Sequence, residues 1–198
     1  KGLPKIPFHI ADRSMKKEST VFDTFMLLLD LCTDRFGATQ VMTFFESSAV
    51  RKKFGFVESD VDLIQQWIAD TRIRWGIDEK IRIKNDFPSC RENTWKAGLD
   101  RLTLGYAMKG RDERMFDNIL PYDNIEGDSA RMLGRFLECM TKLFALASSL
   151  PLSKSLEEWA TGLGEVLNDF FEADEHSESG LLFLSRIING LTVEQNLS

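Results

Sequence analysis

Between residues 129 and 149 the apolar side chains Met132, Leu133, Phe136, Leu137, Met140, Leu143, Phe144 and Leu146 recur three and four positions apart. That spacing puts them on one face of a helix about six turns long, and Pro151 stops it. The same period appears in most of the chain. Val21, Phe22, Phe25, Met26, Leu28, Leu29 and Leu31 predict a helix from Ser19/Thr20 that breaks at Asp34-Arg35-Phe36-Gly37. Val41, Met42, Phe44 and Phe45 predict another over 39–46, and residues 49–54 a short one ending at Gly55, which suits a left-handed cap. Ser59 and Asp62 resemble a capping box opening 60–69, while Ser155 and Glu158 form a clear one for 156–171. Helical spacing returns at Trp95, Leu99, Leu102 and Tyr106, and again over 180–189.

Only Ile81-Arg82-Ile83-Lys84 alternates as a short half-buried strand would. Pro4 and Pro7 give residues 1–14 an extended reading, leading into a helical domain over 15–198. The expected fold is all-α, a helical bundle with at most one small strand pair.

A hydrophobic fraction of 43% with 28% charged residues is that of a folded globular chain. No apolar run reaches membrane-spanning length. The opening Lys1-Gly2-Leu3-Pro4 has neither an initiator Met nor a signal layout, as expected of a piece cut from a longer chain. Cys32, Cys90 and Cys139 are widely spaced and odd in number, which points to free thiols in a reducing cytoplasm. The net charge of −6 is uneven: residues 1–100 hold 16 basic and 15 acidic side chains, residues 101–198 hold 9 and 16. A general basic surface for nucleic acid is therefore excluded, and any DNA contact is local. The acidic half suits solvent or a basic partner.

Chemistry is sparse. The sequence has no phosphate-binding loop of the GxxxxGK[ST] kind, no GxGxxG after a strand and no HExxH. His9 and His176 are the only histidines, the first in an apolar segment and the second among acids. Asp169, Glu172, Asp174 and Glu175 could be imagined around a metal, but such a run is ordinarily a solvated helix end. No catalytic residue, metal or other cofactor is expected.

Two basic features remain as DNA-binding candidates. Arg51, Lys52 and Lys53 precede Gly55, where cations and a glycine turn could hold a phosphate. Arg72, Arg74, Lys80, Arg82 and Lys84 surround Trp75, which could stack on a base or simply pack.

Several motifs carry a family resemblance. Ile6-Pro7-Phe8-His9-Ile10-Ala11-Asp12-Arg13-Ser14, Gln66-Trp67-Ile68, and Ile73-Arg74-Trp75-Gly76-Ile77-Asp78 are similar in order to segments of the RecC family. So are Thr94-Trp95, Gly98-Leu99, Arg101-Leu102, Leu104-Gly105-Tyr106-Ala107-Met108, Leu120-Pro121-Tyr122-Asp123 and Leu156-Glu157-Glu158-Trp159. These families are gamma subunits of bacterial exodeoxyribonuclease V. The resemblance implies a subunit built like UvrD-type helicases without their ATP-hydrolysing machinery. It would work with a beta and an alpha subunit, split and guide duplex DNA, and read Chi. This chain would be the helical 2B-type insertion of the second motor domain, with residues 1–14 leading in from that domain. In UvrD-like helicases a Gly-x-Gly turn grips duplex phosphates; Arg51-Lys52-Lys53-Phe54-Gly55 stands in that place with a single glycine. Three readings stay open: a DNA-handling subunit piece, a protein-interaction scaffold without DNA contact, and a metal-dependent nuclease using Asp169 or Asp174.

Overall fold

The computed structural model describes residues 12–108, 115–123, 125–150 and 155–193. Among them are nine helices: α1 (Asp12–Thr33), α2 (Ala38–Phe45), α3 (Ser48–Phe54), α4 (Glu58–Asp70), α5 (Glu79–Lys84), α6 (Trp95–Ala107), α7 (Asp128–Ser149), α8 (Leu156–Phe170) and α9 (Glu178–Val193). The all-α expectation holds. Among the described residues the one trace of β structure is an isolated bridge between Phe116 and Ile119, closed by Asp117 and Asn118 at φ 49° and 61°. Two successive positive φ values make the kind of tight turn that joins hairpin strands.

Three boundaries differ from the sequence reading. First, α1 starts at Asp12, so residues 12–14 of the expected extended segment are helical; residues 1–11, with Pro4, Pro7 and His9, lie outside the described residues. Second, α4 opens at Glu58, where the Asp60 carboxylate accepts the Val57 N–H at 3.1 Å, in place of the Ser59/Asp62 pair. Third, Ile81–Lys84 is the helix α5. Its N-cap is Asp78, whose carboxylate accepts the Ile81 N–H at 3.0 Å. The alternation misleads because the residue turned inward is Arg82, while Ile83 is exposed.

The core is aromatic. Phe44 meets Phe45, Phe170 and Phe171; Phe45 meets Phe56 and Phe136; Trp67 also packs on Phe136. Tilted and edge-on contacts of this kind add to what burial alone supplies. α1 lies against α2, α7 and α9, and α8 packs on α3 and α9. Trp95 is fully buried and donates its indole N–H to the Phe36 carbonyl at 2.8 Å, which fixes the start of α6 beside the α1–α2 turn. Gly105 lets the Tyr122 segment cross α6: a Cβ there would fall 1.6 Å from the Tyr122 carbonyl oxygen. Cys32 and Cys139 are buried in this core, and burial pushes the Cys32 thiol up to about 12 and the Cys139 thiol well above its ordinary value. No helix among the described residues is long and apolar enough to cross a membrane.

Candidate nucleic-acid interface

α3 ends as the sequence predicts, with Gly55 left-handed at φ 67°. The Phe56 N–H reaches back to the Arg51 carbonyl at 2.8 Å and the Gly55 N–H to Lys52 at 3.2 Å, the paired closure of a glycine-ended helix. With Val57 N–H on Asp60, three successive amides of this turn are already spent. The turn is also locked from outside. Arg135 of α7 donates to the Gly55 carbonyl, reaches Asp60 at 3.4 Å, and lies over the Phe56 ring. A phosphate here would thus be held by side chains and not by a cradle of amides.

The side chains divide by what they touch. Lys52 donates to the Ala173 carbonyl and lies 3.9 Å from the Glu172 carboxylate, tying α3 to the α8–α9 connection. Arg51 is 3.8 Å from Glu58, a pair whose carboxylate is almost fully exposed and contributes little. Lys53 is half-buried on the same turn.

Arg82 is only 6% exposed. Its guanidinium donates to the carbonyls of Cys90 at 3.0 Å and Trp75 at 3.2 Å, and sits 4.6 Å from the Trp75 ring centroid. It ties together the segments on either side of α5 and is not available to a phosphate. Trp75 packs edge-on against Phe87, 4.9 Å between centroids, with Arg35 over both rings. That packing takes up the ring which the sequence offered for base stacking. Lys80 and Lys84 are exposed on α5.

Arg72 and Arg74 are exposed where the chain leaves α4. Together with Arg51 they line a groove of about 740 Å³ bounded by α2 and α4, whose other charged residues are Glu46, Glu58 and Asp62. Two basic features some twenty positions apart thus meet on one surface. Arg72 also lines a second groove of about 910 Å³ with Arg91 and Arg101. There, Arg91 pairs with Asp100 at 2.7 Å, and Arg101 donates to the Leu120 carbonyl at 3.0 Å.

The acidic run does not gather. Asp169 faces Lys142 at 3.5 Å and Glu172 faces Lys52. Asp174 closes the turn before α9, accepting from the His176 and Ser177 amides and the Ser177 hydroxyl at 2.7–2.8 Å. Burial alone would raise its carboxyl, but hydrogen bonds from Ser48, Ser177 and those amides outweigh it and hold the group down at about 2. Among the described residues no group of His, Cys, Asp and Glu is placed to hold a metal ion.

Sequence reasoning missed Arg135 and Arg35. Arg135 has no local signal, since its carbonyl partner is 80 residues away. Arg35 stands in the predicted break after α1, where nothing marks it as an aromatic partner.

The fold and this surface define an all-helical domain whose accessible arginines converge beside a glycine-ended helix. The chain belongs to the RecC fourth-domain family: the profile of the RecBCD enzyme subunit RecC fourth domain matches residues 18–197. It is 29% identical over 181 residues to the RecBCD enzyme subunit RecC of Escherichia coli, covering 91% of this chain. With the RecC subunit of Haemophilus influenzae it shares 29% over 189 residues, 96% of the chain, and with that of Mycolicibacterium smegmatis 30% over 171, 86% of the chain. The chain spans 16% of the length of each of these relatives.

Proposed function

We propose that this chain is a DNA-handling domain of the gamma subunit of a RecBCD-type exodeoxyribonuclease V. In this reading it is the helical insertion, over residues 15–198, of a UvrD-like second motor domain entered through residues 1–14. The parent subunit splits and guides duplex DNA and recognises Chi during double-strand-break repair and recombination. The domain itself supplies no catalytic group and binds no cofactor, and the beta and alpha subunits of the heterotrimer perform helicase and nuclease chemistry in the bacterial cytoplasm. The observation that carries a DNA contact is the convergence of Arg51, Arg72 and Arg74 on one groove. Guanidinium groups are suited to phosphate oxygens, and three on one rim can track a backbone.

A fluorescence titration of the chain with a labelled forked duplex at several salt concentrations tests this. Binding should weaken steeply with salt, and alanine at Arg51, Arg72 or Arg74 should each lower the salt slope by about one. Lys52→Ala and Arg82→Ala should act through stability instead. Absence of binding even at low salt would favour the second reading, an interaction scaffold without DNA contact. That reading draws support from Lys52 and Arg82 being engaged internally and from three acids sharing the groove.

A further inference from the structure

α9 carries two charged side chains in sixteen residues, Glu178 and Arg186, whereas α8 beside it carries four acids in fifteen. A surface helix ordinarily keeps one polar face, and a helix that is apolar most of the way round is covered on more than one side. α9 packs on α8 and α1, with Leu184 and Ile188 buried. Leu182 points about 160° away from Leu184 around the helix axis. Phe183 and Ile187 stand one turn apart on a stripe of their own. On α1, Phe22 and Met26 are likewise one turn apart and turned outward. These five side chains are between 39% and 56% exposed.

Area and charge select what covers them. Five large side chains at that exposure present roughly 400 Å² of apolar surface, taking about 200 Å² for each when free. A separate molecule that binds stably buries about 800 Å² on each side. Interfaces between domains of one polypeptide are smaller, roughly 300–750 Å² per side, because the covalent link already holds the two surfaces near each other. The relatives supply such a link: this chain spans 16% of the RecC subunit of Escherichia coli, so most of that polypeptide lies outside the match. Arg186 is the one cation of α9, which offers little to a phosphate backbone or an anionic headgroup.

We infer that the outer face of α9, with Phe22 and Met26 of α1 next to it, is the seat on which this domain rests against an apolar surface of another domain of the same polypeptide. This rests on the reading that the chain is one domain of a longer gamma-type subunit. The face is separate from the Arg51–Arg72–Arg74 groove, which α2 and α4 bound.

Single cysteines test the seat. Phe183→Cys, Ile187→Cys and Phe22→Cys are placed, each with Cys90→Ser, in the chain on its own and in the full-length subunit; the native Cys32 and Cys139 are buried. The rate of maleimide labelling at each position is followed by peptide mass, since reaction requires an accessible thiol. In the chain on its own all three should label fast at every protein concentration. In the full-length subunit all three should slow by about tenfold or more. Asp128→Cys, at a fully exposed position where α7 starts, should label equally fast in both. Labelling as fast in the full-length subunit as in the chain overturns the inference. So does protection that appears only when the other subunits are added, which would make a partner chain the occupant. Protection of the chain on its own as its concentration rises, with a dimer in sedimentation, would make the occupant a second copy and overturns it as well. Equal slowing at Asp128→Cys does the same, since the larger protein would then hide surface without singling out α9. None of these variants touches Arg51, Arg72 or Arg74, so the DNA titration can fail while the protection holds, and the reverse.

Discussion

α3 and α4 end in the same backbone device with different residues at its centre. In α3 the Phe56 and Gly55 amides close on Arg51 and Lys52; in α4 the Ile73 and Arg72 amides close on Ile68 and Ala69, at 3.0 and 3.1 Å. The central φ is 67° at Gly55 and 60° at Arg72, and in both turns the next side chain, Phe56 or Ile73, is buried. Glycine adopts this conformation without cost, whereas an L-residue is penalised by roughly 1–2 kcal/mol. The difference lies in what surrounds each turn. At Gly55 the space is taken by Arg135, whose guanidinium nitrogen would lie 3.3 Å from an added Cβ. At Arg72 the side chain is exposed and borders two grooves. One turn is closed off by a neighbour, and the other holds a cation outward at the expense of backbone strain. Strain of this kind is often retained where the side chain has a task.

Breaking the Gly55 turn should have the largest effect. Arg135→Ala removes the donor to the Gly55 carbonyl and the pair with Asp60, and should destabilise the chain by about 2 kcal/mol in urea unfolding, since hydrogen bonds to charged groups lie in that range. Gly55→Ala should cost about 1 kcal/mol for the left-handed backbone, plus the crowding against Arg135. In the Arg135→Ala background the crowding disappears, so the two losses should sum to more than the double variant shows. Arg72→Gly should have the opposite sign, a gain of up to about 1 kcal/mol as strain is relieved, together with a DNA salt slope lower by about one. A loss of stability in Arg72→Gly would mean that the side chain is needed by the fold and that the contrast between the turns is misread.

The sequence made α7 and α8 legible because their apolar residues keep one period to the end and their boundaries carry local signals, Pro151 after the first and the Ser155–Glu158 box before the second. That box is present, with the Ser155 N–H on Glu158 at 2.6 Å and the Glu158 N–H on Ser155 at 3.2 Å. The glycine end of α3 was legible for the same local reason. Several residues of the motifs that carry the family resemblance belong to the core: Trp67, Trp95, Gly98, Leu99 and Tyr122 are all buried, and Gly105 is held against Tyr122. They identify the fold more directly than the site. What stayed hidden depends on distant partners. Nothing near Arg82 says that it will turn inward, because its acceptors are carbonyls of a loop whose path only the folded chain defines. Nor can residue spacing show that Arg51 and Arg72 share a groove, since α4 must first lie along α2 to bring them together.

A third turn sharpens the comparison in a way that pH can read, and with the smallest effect. The turn before α9 is closed by a carboxylate: Asp174 accepts from Ser177 and two amides, and its carboxyl is lowered from 3.8 to about 2 by those hydrogen bonds, with Ser48 adding another, against a burial effect of opposite sign. Above about pH 5 the carboxylate is charged whether the chain is folded or unfolded, and its stabilisation is fully present. As pH falls toward 2 the unfolded chain takes up the proton first, so stability is lost across that window; below both values the contribution is gone. Asp174→Asn keeps an acceptor for the amides but cannot titrate. The variant should be less stable than the parent at pH 6 by a modest margin, and the gap measured in urea should shrink steadily from pH 4 to pH 2. Arg135→Ala, which breaks a turn held by a guanidinium bonded to a carbonyl, should keep most of its deficit through the same range. Should the Asp174→Asn gap stay constant with pH, the charge contributes nothing to that turn and its hydrogen bonds serve as neutral caps.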